Sequence, residues 1–118
     1  MMETIKPFAE YSELDREKVL TWISDNLYPR KYINRNHTGY AIKQRLTSET
    51  GVYVRTEQFH EAMTEAGYKS VFRYYPLYWK RGYDYFYNVD SKAPGLHALP
   101  FGMKQVLINR YAAIGKAA

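Results

Sequence analysis

Three glutamates, Glu57, Glu61 and Glu65, recur at four-residue intervals and are the first candidates for chemistry. Side chains four apart lie along one side of a helix, so these carboxylates form a ridge. Glu57 and Glu61 can be drawn as an acid–base pair, but carboxylates on an exposed helix surface stay solvated and ionised. Other catalytic types are sparse. His37, His60 and His97 are scattered without metal-ligand spacing. The absence of cysteine removes thiol nucleophiles, Cys–zinc sites and structural disulfides. No glycine-rich phosphate loop or nucleophile motif occurs. The chain reads as a non-enzyme with no cofactor and no metal, and its chemistry as recognition.

Recognition has two candidate residue sets. The first is basic and aromatic: Arg30, Lys31, Arg35, Lys43, Arg45, Arg55, Arg73, Lys80 and Arg81, with Tyr78 and Trp79 beside the last pair. Lysine and arginine neutralise phosphates, and an exposed ring stacks on an unpaired base. The second is acidic: Glu57, Glu61, Thr64 and Glu65, a surface suited to a basic protein. The net charge of +5 is unevenly spread. Residues 1–29 are acidic on balance, 30–60 are basic, and 91–118 carry bases and no acid. Such a layout permits a polyanion partner. Thirteen tyrosines add rigid, half-polar contact area of the kind interfaces use.

The elements that must position these residues follow from periodicity. A helix is expected over about 13–27, with Ser12 as its cap, acids in its first turn and Val19, Leu20, Ile23 and Leu27 on its buried face. A basic connector, 29–36, leaves room for a short strand at Tyr32-Ile33. A second helix, about 38–50, starts at Thr38, buries Ala41, Ile42 and Leu46, shows Lys43, Gln44 and Arg45 to solvent, and stops at Gly51. A third, about 56–67, has Thr56 as N-cap and a buried stripe of Phe59, Ala62, Met63 and Ala66. Gly67 suits its left-handed C-terminal position. The period then changes to two, predicting a hairpin over about 71–89 whose Tyr85/Tyr87/Val89 side covers the helices. Residues 1–90 read as one domain, and 91–95 as a linker by composition. A last helix over 100–114 carries Met103, Val106, Leu107, Tyr111 and Ile114 as an apolar stripe, fit to pack on the domain or to form a homodimer. No apolar run reaches the length of a membrane span, and residues 1–6 lack the apolar core of a signal peptide, so the cytoplasm is the expected compartment.

Three stretches resemble a known module: Thr38-Gly39-Tyr40-Ala41-Ile42-Lys43-Gln44, then Gly51-Val52-Tyr53-Val54, then Phe59-His60-Glu61-Ala62-Met63 with Ala66-Gly67-Tyr68. Across residues 36–89 they resemble the winged helix-turn-helix of small bacteriophage and mobile-element proteins. The resemblance implies an α+β fold, a three-helix core plus β-hairpin wing, here with an additional C-terminal helix. It implies nucleic acid, DNA first, as the partner. Several small phage proteins of such folds act instead as inhibitors of host proteins, anti-CRISPR inhibitors among them. Two readings therefore stand. In one, nucleic acid binds the connector, the second helix and the aromatic-basic wing. In the other, the acidic face of the third helix and the Tyr-rich hairpin dock on a host nucleic-acid-binding protein. Carboxylates facing a phosphate-lined groove would be repelled, so the third helix is not expected to read bases.

Overall fold

A computed structural model of the chain describes residues 6–76 and 81–97, with residues 75, 76 and 81 as backbone only. Local sequence chemistry sets the element ends. Helix α1, Glu13–Asn26, begins where the Ser12 hydroxyl accepts the Asp15 N–H at 3.1 Å. Helix α2, Gly39–Thr50, begins where the Thr38 hydroxyl accepts the Ala41 N–H at 3.1 Å, and ends at Gly51 with φ 76°. Helix α3, Thr56–Glu65, differs at its start from expectation. Thr56 is its first helical residue, Arg55 holds the cap position, and the Gln58 side chain accepts the Arg55 N–H at 2.9 Å. At its end Gly67 has φ 92°, and the Tyr68 N–H returns to the Met63 carbonyl at 3.0 Å. A left-handed glycine with that return bond closes the helix.

Strands β1, Ser70–Pro76, and β2, Arg81–Tyr87, pair antiparallel from Ser70↔Tyr87 to Pro76↔Arg81. The architecture is α+β: three helices and one two-stranded hairpin. The core joins Val19, Ile23 and Leu27 of α1 and its end to Ile42 and Leu46 of α2, Phe59 and Met63 of α3, and Tyr87 and Val89 from the hairpin. As expected, the base of the Tyr85/Tyr87/Val89 side lies on the helices.

Other expectations also need correction, and Ala66, expected in the buried stripe of α3, is exposed at its C-terminal cap. The connector's short pairing falls at Pro29, opposite Val89, rather than at Tyr32-Ile33. Backbone bonds flank that bridge, Arg30 N–H to the Asn88 carbonyl at 2.8 Å and Asp90 N–H to the Tyr28 carbonyl at 2.7 Å, and the Asn34 and Asn88 side-chain amides add bonds to the Val89 and Arg30 carbonyls, each at 2.8 Å. Residues 93–95, linker-like in composition, are buried, and Pro94–Leu96 form a 3-10 turn. That turn packs closely: a Cβ at Gly95 would come within 2.8 Å of the Asn26 carbonyl. On α2, Ala41 is exposed while Lys43 is buried. The cause is Gly39, which lets the first turn of α2 lie directly on β2, where a Cβ would meet the Tyr85 carbonyl at 2.9 Å. The buried face of α2 therefore runs through Gly39, Ile42, Lys43 and Leu46. The expected helix 100–114 lies outside the described residues, as do Tyr78, Trp79 and Lys80.

Gly39→Ala gives a first test of this contact. A backbone atom cannot swing away as a side-chain end can, so the clash is expected to cost about 1–3 kcal/mol. Better helix propensity returns at most about 1 kcal/mol. Urea denaturation should therefore show a less stable protein, and an equal or more stable one would refute the close packing of α2 on β2.

Candidate nucleic-acid interface

The hairpin separates two chemistries. Residues facing each other across the strands share a side, so Phe72, Tyr74, Tyr83 and Tyr85 lie on one face, and Arg73, Asp84 and Phe86 on the other. The first face runs onto α3, where the His60 ring stacks on Tyr85 at 3.8 Å between centroids. The second meets the start of α2, where Asp84 accepts the Tyr40 N–H at 2.8 Å.

Asp84 is 2% exposed, and its other oxygen accepts the Tyr85 N–H at 2.7 Å. It acts as a distant cap for α2. Burial pushes its pKa up, while the two backbone donors and the charge of Lys43 pull it back. Lys43 shows the mirror case: burial pushes it down and Asp84 offsets part of that. Lys43 also lies over the Tyr40 ring at 4.8 Å. Expected as an outward phosphate contact, Lys43 is instead a buried part of the α2–hairpin joint, because Gly39 turns that face inward.

The remaining bases divide. Arg30 is partly spent on the connector, donating to the Tyr32 carbonyl at 3.0 Å and the Ile33 carbonyl at 3.4 Å. Lys31 lies over the exposed Tyr32 ring at 5.4 Å. Arg35, Arg55 and Arg73 are exposed, and Arg45 is half-buried. Arg73 stands across from Asp84, beside the first turn of α2. Arg81 opens β2 opposite Pro76.

The glutamate ridge is exposed, as expected, but each member has an internal partner. Glu57 accepts the Tyr85 hydroxyl at 3.4 Å, and Glu61 accepts the Phe8 N–H at 3.0 Å. Glu65 pairs with Arg16 at 2.9 Å. Thr64 donates to the His60 carbonyl at 2.9 Å. The sequence contains no local sign of these bonds, since the partners of Glu61 and Glu65 lie 53 and 49 residues away. Among the described residues no group of three or more His, Cys, Asp or Glu could hold a metal ion. No described helix is long and apolar enough to cross a membrane.

No family model, curated protein or solved structure matches this chain.

Sequence reading missed two features. Asp84 looked like an ordinary polar residue in an aromatic strand. Its one signal was a lone acid between rings on a strand expected to be half-buried. The Tyr-rich hairpin reads from sequence as contact area, but the alignment of Phe72, Tyr74 and Tyr83 into one exposed row depends on strand register.

His60 makes the α3 joint sensitive to pH. Its Nδ1 lies 3.0 Å from the Tyr87 hydroxyl, which burial keeps protonated, so the two share one hydrogen bond whose direction follows the imidazole tautomer. Burial lowers the His60 pKa, against the opposing pull of Glu57 and Glu61. With the folded value below the unfolded one, the stabilisation is present above the unfolded value of about 6.5 and is lost as pH falls through the folded value. His60→Phe should flatten the fall in urea stability between about pH 7.5 and 5. The variant strands the Tyr87 hydroxyl at every pH, so the slope carries the result; an unchanged slope would contradict it.

Proposed function

We propose that this chain is a non-enzymatic nucleic-acid-binding protein of the winged helix-turn-helix type that uses its connector, α2 and the α2 side of its hairpin, and not α3. The element order, three helices followed by an antiparallel hairpin, is compatible with that module. The observation that carries the reading is the division of charge. Arg73 stands on the α2 side of the hairpin, while Glu57 binds a tyrosine on the opposite side. A phosphate backbone on the Arg73 side, reached from the connector and α2 through Lys31, Arg35 and Arg45, would avoid the α3 glutamates. These contacts would be to backbone phosphates, which fix position without reading sequence. Docking of the acidic ridge on a host protein has less support, because Glu61 and Glu65 already hold Phe8 and Arg16.

The test is fluorescence anisotropy with a labelled duplex of about 20 base pairs, from about 50 to 200 mM salt. Four phosphate contacts give a log–log slope near −3.6, about 0.9 per phosphate. Arg35→Ala with Arg73→Ala should reduce that slope by about 2 and weaken all sequences alike. Absence of binding at the lowest salt would remove the proposal.

A further inference from the structure

The α3-facing side of the hairpin goes beyond what the core needs. Near its base, Tyr87 is buried and Tyr85 packs against the core. Farther out, Phe72, Tyr74 and Tyr83 are 51%, 46% and 64% exposed. They form one continuous row, with Tyr74 to Tyr83 at 5.5 Å, Tyr83 to Phe72 at 5.6 Å and Phe72 to Tyr85 at 4.8 Å. Single exposed apolar side chains are ordinary, but a contiguous row marks a contact surface. The inner end of the row is acidic. Tyr85 stacks on His60, and its hydroxyl reaches the Glu57 carboxylate.

Ring faces carry negative potential, and a carboxylate at the end of the row deepens it. A phosphate would meet repulsion here, whereas a cation would find both stacking surface and a counter-charge. A guanidinium suits this better than an ammonium: it is planar, stacks on rings, sheds water more readily and pairs with a carboxylate. We infer that the α3-facing side of the hairpin is a second binding surface, for an arginine-bearing segment of a partner protein. It is independent of the nucleic-acid reading, which uses the opposite side. Charge complementarity selects this occupant, with the exposed rings as the surface it covers.

The test uses the full chain and three labelled probes: an octa-arginine peptide, an octa-lysine peptide and an oligothymidine. Because the protein carries +5 overall, net charge does not favour a polycation, and the ring variants distinguish this surface from the acidic 1–29 region. The arginine peptide should bind more tightly than the lysine peptide and shift the ring signals of His60 and Tyr85 in NMR spectra. Phe72→Ala with Tyr83→Ala should weaken it about tenfold or more, and Tyr83→Phe alone should leave it intact. Both positions are exposed, and a circular dichroism melt checks that the variants fold. Glu57→Gln should weaken the arginine peptide and leave duplex binding unchanged. Peptide binding that survives loss of the rings would overturn the inference. So would oligothymidine occupying the same rings, or rings already covered by the chain's own residues 98–118.

Discussion

Asp84→Ala should lower the free energy of unfolding by about 3–5 kcal/mol, the largest loss expected for any single polar residue described here. The carboxylate is buried and bonds the backbone N–H groups of Tyr40 and Tyr85. Alanine would leave two donors unmet and Lys43 buried without its nearby counter-charge. Each unsatisfied buried donor costs about 1–3 kcal/mol, and an unpaired buried cation costs more. Against a total stability of about 5–15 kcal/mol, the variant is expected to be partly unfolded at physiological temperature. Asp84→Asn keeps one acceptor oxygen and should lose about half as much, since one carboxylate bond remains as a weaker neutral one. Adding Lys43→Met to Asp84→Ala should recover part of the loss, because the stranded charge is gone. Urea denaturation followed by circular dichroism reads all three. A loss below about 1 kcal/mol would mean that Asp84 does not cap α2.

Phe59→Ala is the second large effect, again about 3–5 kcal/mol. Phe59 is 1% exposed and meets Tyr87 edge-on at 5.8 Å, so it ties α3 to β2. Truncation removes apolar contact and leaves a void that rigid neighbours cannot close. The expected consequence is local as well as global. With the α3–β2 contact loosened, amide hydrogen exchange in β2 should accelerate more than exchange in α1. Equal acceleration in both would show that the hairpin is not held through Phe59.

The helices and hairpin were legible in the sequence because their signals are local. Ser12, Thr38, Gly51 and Gly67 each act within a few residues of the helix they start or stop. The stripe expected at Phe59, Ala62, Met63 and Ala66 is buried at its first three positions, while Ala66, at the C-terminal cap, is exposed. The site was harder to see because its deciding contacts are distant in sequence. Lys43 looks outward on a helical wheel drawn around Ala41 and Leu46. It turns inward because Gly39 lets α2 lie against β2, where the Asp84 charge offsets part of its burial while the carboxylate caps Tyr40 from 44 residues away. The glutamate ridge was readable as a ridge, but its bonds to Phe8 and Arg16 were not. The aromatic row was half-visible. Alternation assigns Tyr83 and Tyr85 to one face, yet only the register opposite Tyr74 and Phe72 makes the four into a continuous strip.

In the proposed function, cations and the α3 carboxylates serve different sides of this protein, with nucleic acid taken on the cationic side. The most direct measurement is an amide NMR titration of the labelled full chain with duplex DNA. The expected result is movement of signals from Lys31, Arg35, Tyr40, Gln44, Arg45 and Arg73, while Glu57, Glu61, Thr64 and Glu65 stay still. Movement along α3 with the connector and α2 silent would contradict it.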